Sequence, residues 1–178
     1  MTDTMEVKTK WYEGWTDETL AFLVLRLWLA MRAIITGVEK FSGTQTTQTP
    51  MLDDLGMPDI SGKMIDVKTK IYALGDYHAV PASLAAEFAK QPLLPKAILP
   101  IYYGVLGPAL IILGLMLLVG IGTRTSLFLQ GLLYVSLTFG LILIGQDGGV
   151  AWLAAHMILI AYALTLAKHN KLAVLSKF

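Results

Sequence analysis

Residues 97–167 read AILPIYYGVLGPALIILGLMLLVGIGTRTSLFLQGLLYVSLTFGLILIGQDGGVAWLAAHMILIAYALTLA. In this stretch only Arg124 and Asp147 carry a formal charge, and each sits in a glycine-containing break, IGTR or QDGG. A helix in water keeps a polar face, whereas a helix in lipid needs about 20 apolar residues to cross ~30 Å of hydrocarbon. The stretch therefore spells three membrane spans, at about 97–120, 125–145 and 150–167. The two breaks are the turns between them.

Composition agrees. The 178-residue chain is 55% hydrophobic and 15% charged, with a mean hydropathy of +0.61, where a soluble domain carries about 25% charge. This is the composition of a single membrane domain. A net charge of +1, with lysines scattered rather than clustered, gives no surface for nucleic acid. The absence of cysteine excludes thiolate metal sites, iron–sulfur clusters and dithiol redox chemistry in this chain. No nucleophile elbow, phosphate loop, HExxH or paired-carboxylate pattern appears, so no catalytic residue is assigned and no catalytic activity of the chain on its own is expected.

A first span is expected at about 19–38 (TLAFLVLRLWLAMRAIITGV), and it alone carries arginines, Arg26 and Arg32, inside its apolar run. Each central arginine costs ~2.5–3.5 kcal/mol on insertion scales, which the surrounding Leu, Ile, Phe and Trp partly offset. Its lead-in is acidic, and the run is longer than the core of a cleaved signal. Short turns bring consecutive spans together as antiparallel neighbours, so the expected fold is an all-α membrane protein, a four-helix antiparallel bundle. Small residues at helical spacing are expected to form packing faces: Gly107 with Gly114, Gly131 with Gly140, and Ala151 with Ala155 and Ala161. Lys8, Lys10, Arg124, Lys168, Lys171 and Lys177 outnumber the span-proximal lysines of the other side, which places both termini in the cytoplasm and residues 41–96 outside, in a cell (inner) membrane.

The long external loop opens with SGTQTTQTP, which reads as irregular. Further on, PASLAAEFAKQP predicts a short amphipathic helix near 82–90, with Leu84, Ala85 and Phe88 on one side. Met51, Leu52, Leu55, Met57 and Ile60 have no span to join and are expected to cap the bundle or meet another subunit. Trp11, Tyr12 and Trp15 suit the headgroup layer. Trp11, Trp15, Met51, Leu55 and Phe88 are thus the interface candidates.

Intramembrane polar groups are the functional candidates, because lipid makes them costly unless paired or useful. Arg26 lies ~10 Å into its span. It is either a fixed cation for a headgroup, a quinone carbonyl or a substrate anion, or a side chain that reaches the interface or pairs with Asp17 or Glu18. Arg32 points about 120° away from Arg26 on the same helix, and Glu39 shares its face two turns on. His156 sits near the middle of the last span, as a histidine bonded to a neighbouring helix or as a quinone or proton contact; Gln130, Tyr134, Thr138 and Tyr162 are candidate partners. Haem is disfavoured, since His78 and His169 lie at other depths. Asp147 is expected to cap the last helix, and the aspartates between Asp53 and Asp76 match no metal cage. No metal site is assigned.

Two segments carry a family resemblance. The first span contains Leu25-Arg26-Leu27 and then Gly37-Val38-Glu39-Lys40-Phe41, and the second contains Leu113-Gly114-Leu115-Met116-Leu117-Leu118-Val119-Gly120 followed by Thr123-Arg124. Together with four spans, this resembles the DoxX-like (DoxX/DoxD) membrane proteins. Ala30 stands where that family usually has glycine, Arg32 adds an unexpected charge, Leu110 replaces a common acidic residue, and the external loop is longer. The resemblance implies a four-helix integral protein found beside redox enzymes, with the DoxD relatives forming a subunit of a thiosulfate:quinone oxidoreductase. The expected role is an accessory subunit that stabilises or anchors a larger, electron-transfer membrane complex among other membrane subunits and lipids. The alternatives are a quinone-interacting subunit using Arg26, Arg32 and His156, with quinone or bound lipid as its only cofactor, and a small transporter or lipid-binding bundle.

Overall fold

The computed structural model describes residues 14–52, 57 and 62–174. It is mostly helical, with four helices long and apolar enough to cross a membrane: α1 (Asp17–Glu39), α3 (Leu99–Val119), α4 (Thr123–Leu143) and α5 (Asp147–Leu166), the last prolonged by a 3-10 turn over Ala167–His169. The chain is thus a multi-pass membrane protein by the length and composition of its helices. A two-stranded sheet, β1 (Ser42–Pro50) and β2 (Met64–Tyr72), and a short helix, α2 (Ala82–Lys90), lie between α1 and α3.

Local chemistry sets the helix limits within two or three residues of those read from hydropathy. At the start of α1 the Thr16 hydroxyl accepts from the Thr19 amide at 3.4 Å, and Asp17 and Glu18 occupy the positive end of the helix. Helix α3 ends at Gly120, whose φ of 85° only glycine adopts cheaply and whose amide donates to the Met116 carbonyl. Gln146, without a side-chain bond, is the N-cap of α5. Asp147 is therefore the first helical residue rather than the cap, and its carboxylate complements the helix dipole there.

Helix α1 packs most extensively on α3, and α4 on α5. The first seam is close because glycine adds no side chain where the two backbones meet. A Cβ on Gly114 would sit 2.9 Å from the Ala30 carbonyl oxygen, and one on Gly37 would sit 3.0 Å from that of Gly107. Phe22, Leu29, Ala30, Leu106, Leu110 and Leu117 fill the core beside it. The alanine series of the last span behaves otherwise: Ala151, Ala155 and Ala161 are exposed, while Ala163 and Ala167 are buried. The protein wears its apolar surface outward, with Val24, Ile101, Ile112 and Ile158 exposed, and buries Arg26, Ser126, Gln130 and His156. That polarity is the reverse of a soluble fold and suits a lipid solvent.

The region outside the spans departs most from expectation. SGTQTTQTP is not irregular; it is β1, paired antiparallel with β2 from Ser42 opposite Tyr72 to Pro50 opposite Met64. Its threonines fit a pleated strand, and the alternation that marks the pair lies in the partner, MIDVKTKIY. Met51, Leu52 and Met57 are exposed and do not cap the helices, while Trp11, Leu55 and Ile60 fall outside the described residues. Helix α2 matches its expected limits, with Phe88 buried against Gly140. Trp15 is half-buried and lines a shallow crevice with Phe22 and Leu172.

Replacing Gly114 by leucine forces the α1–α3 backbones apart, and overpacking of this kind costs about 1–3 kcal/mol. Unfolding of the purified protein by SDS titration is expected to show that loss for Gly114→Leu and none for Gly104→Ala, whose added Cβ meets open space.

Candidate functional site

The structure separates the two arginines of α1. Arg26 is 4% exposed and binds the protein through both terminal nitrogens, with Nε left unpartnered. Its Nη1 donates to Asn170 Oδ1 at 2.8 Å and to the Leu172 carbonyl at 2.9 Å, and its Nη2 donates to the Leu118 carbonyl at 3.4 Å. Asn170 in turn donates from Nδ2 to Thr123 Oγ1 at 2.9 Å. One guanidinium thus gathers the end of α3, the start of α4 and the segment after α5. Leu118 is among the last residues of its helix, where carbonyls lack amide partners and a cation is favoured. Gly120 leaves room for this, since a Cβ there would lie 3.0 Å from Nη1. Neither Asp17 nor Glu18 is a partner of Arg26; the segment following α5 supplies the partners instead.

Arg32 joins a different group. Its guanidinium lies 5.4 Å from the centre of the Trp152 ring, a cation–π distance. The Trp152 ring meets His156 edge-on at 5.0 Å, and His156 meets Tyr134 edge-on at 5.9 Å. Tyr134 accepts from Gln130 Nε2 at 3.2 Å. The chain Arg32–Trp152–His156–Tyr134–Gln130 therefore links α1, α5 and α4 well inside the spans. Glu39 is not part of it, because its carboxylate is taken by Lys70 and Tyr72.

The hydrogen bonds assign the protons in this group. His156 Nδ1 is 2.8 Å from the Trp152 carbonyl, which only accepts, so in the neutral ring Nδ1 holds the proton and Nε2 a lone pair. Gln130 Nε2 donates to the Leu29 carbonyl at 3.3 Å as well as to Tyr134. His156 Nε2 and Gln130 Oε1 are both buried without a partner. Two unused acceptors thus lie within one buried cluster, which is a place for hydroxyl or water donors. Of the other candidates, Thr138 is spent on its own helix, donating to the Tyr134 carbonyl, and Tyr162 faces outward. Trp152 and Asn170 were not singled out from the sequence. A tryptophan one turn before a span histidine was the available signal for the first; nothing local marks the second.

At the other end of α1 the hairpin is rooted by polar contacts. Lys70 pairs with Glu39, to which the Tyr72 hydroxyl donates at 2.9 Å. The bond to Glu39 raises the Lys70 pKa above the ordinary lysine value, while burial lowers that of Lys40. The Lys70 contribution is present below ~10.4 and fades as pH rises through its raised value, so this root holds throughout the neutral range. Among the described residues no three His, Asp or Glu side chains converge in a way that could hold a metal ion.

Comparison of the chain with family models, curated proteins and solved structures finds no match.

Arg26→Ala strands three carbonyl acceptors and is expected to destabilise the protein by about 2–4 kcal/mol in SDS unfolding. His156→Phe removes the unpaired Nε2 lone pair together with the Nδ1 bond to the Trp152 carbonyl and keeps an aromatic ring, so the two effects offset and its stability is expected to stay within ~1 kcal/mol of wild type. A stable His156→Phe protein that fails in the cell would mark the cluster as a working site.

Proposed function

We propose that this chain is a DoxX-like accessory subunit: an antiparallel four-helix bundle in the cell (inner) membrane, both termini cytoplasmic, that anchors a larger complex through its external hairpin. The observation that carries this reading is the hairpin itself. Its strands hold nine residues each, so it reaches about 30 Å at ~3.3 Å per residue, and almost all of that length is exposed. One face pairs Lys70 with Thr44, Lys68 with Thr46 and Asp66 with Gln48, and is polar between Met64 and Tyr72 at its ends; the other sets Ile65 beside Thr49, Val67 beside Thr47 and Ile71 beside Gly43. Ile65 and Val67 are 41% and 39% exposed, and Met51, Leu52 and Met57 extend the apolar surface at the tip. A lone two-stranded hairpin is marginal in water, and two open edges invite pairing. A covering protein outside the membrane resolves both. That the partner is an electron-transfer assembly follows from the family resemblance alone.

A second reading, a quinone-handling subunit, is favoured by the two acceptors at His156 and Gln130. They suit the hydroxyls of a quinol, whereas a neutral His156 has no donor left for a quinone carbonyl. Arg26 is bound first to the protein, through Nη1 and Nη2, which leaves Nε as its unpartnered donor.

Native electrophoresis in mild detergent distinguishes the first reading. Wild type is expected to migrate within a larger assembly, and the Ile65→Lys/Val67→Lys double variant to insert normally but migrate alone. Wild type migrating alone from native membranes would count against an accessory role.

A further inference from the structure

Helices α3 and α4 are joined by a short turn yet pack far less closely than α1 with α3 or α4 with α5. Where α3 begins and α4 ends, the gap between them is a half-enclosed cavity of about 190 Å³, roofed by Phe88 of α2 and lined almost wholly by carbon. An apolar cavity of ~150 Å³ already stays dry and takes up an apolar guest. Below it the seam continues as an open groove from Gly104 to Leu113 on α3 and from Leu129 to Ser136 on α4, and Ser136 lines both. From Ile98 to Leu113 this track runs about 22 Å along α3 at ~1.5 Å per residue. That exceeds the ~15 Å depth of one leaflet's hydrocarbon.

The polar atoms at the top of the track are few and specific. Ser136 donates to the Leu133 carbonyl at 2.7 Å, so in the 2.8 Å contact between the two hydroxyls Tyr102 is the donor and has no proton left. Tyr103 also lines the cavity, and its hydroxyl is buried with no partner; its proton is free for an acceptor. Lys96 follows the cavity-lining Pro95 in sequence, just before α3, and is exposed.

We propose that this seam holds one phospholipid: an acyl chain fills the cavity and groove, its ester oxygen accepts from Tyr103, and its phosphate lies near Lys96. The length of the track selects a hydrocarbon chain over a compact guest. The unpartnered hydroxyl suits an oxygen acceptor such as an ester, and the cation suits the phosphate. Helix α2 then serves as a roof over the chain, with Phe88 as its anchor. The proposal is independent of the partner bound by the hairpin.

Two measurements test it. Native mass spectrometry of the protein in mild detergent is expected to show one retained phospholipid per chain. Occupancy should fall at least tenfold in Ser136→Phe, which plugs the junction, and several-fold in Tyr103→Phe, in line with the loss of one hydrogen bond. In parallel, wild-type protein in vesicles of phosphatidylethanolamine carrying a diazirine in one acyl chain should cross-link preferentially within residues 98–113 and 129–140. Cross-linking spread evenly over lipid-facing positions such as Ile158, no retained lipid, or an isoprenoid quinone retained in its place would each overturn the proposal. Should Ser136→Phe fail to fold, the wild-type cross-linking pattern decides alone.

Discussion

Hydrocarbon offers no hydrogen bonds, and the arrangement of this protein follows from how it treats Arg26, the one buried cation among the described residues of its spans. A guanidinium within a span is tolerated only with partners from the protein itself. Arg26 draws them from three places distant in sequence, Leu118, Asn170 and Leu172. The chain after α5 has to fold back over the end of α3 to supply two of them. A costly residue thereby becomes a clamp, and the glycine that ends α3 is required both for its backbone angle and for the space the clamp occupies.

The same constraint, met differently, produces the second polar group. Arg32 finds an aromatic face rather than carbonyls, and the ring it covers also touches His156. Here satisfaction is incomplete, with one acceptor on His156 and one on Gln130 left over. A buried acceptor without a donor costs on the order of 1–3 kcal/mol. Arg26 spends both of its terminal nitrogens on the protein, whereas the His156 cluster keeps two acceptors unused. The α3–α4 seam is a third variation, where looseness rather than polarity leaves room for an occupant.

Much of this was legible in the residues, for reasons that can be named. A run without charges leaves only lipid as a solvent, so the three later spans and their glycine breaks followed directly. Helix α2 was legible because Pro81 and the spacing of Leu84, Ala85 and Phe88 are local signals. The hairpin was not: SGTQTTQTP has neither apolar alternation nor a tight turn, and its strand character comes from pairing with residues some twenty positions away. Arg26 and Arg32 looked alike in sequence, as two charges in one apolar run.

By itself, then, the sequence determined the solvent, the number and limits of the spans, and which polar groups need an explanation, since each of these depends on composition within one helix length. Only the tertiary structure decided that Arg26 is a clamp and Arg32 a neighbour of His156. It also decided that Glu39 anchors a hairpin and that the α3–α4 seam stays open. The physical reason is that hydrogen bonds and ring contacts depend on distances between segments far apart in the chain, which no local pattern of residues encodes.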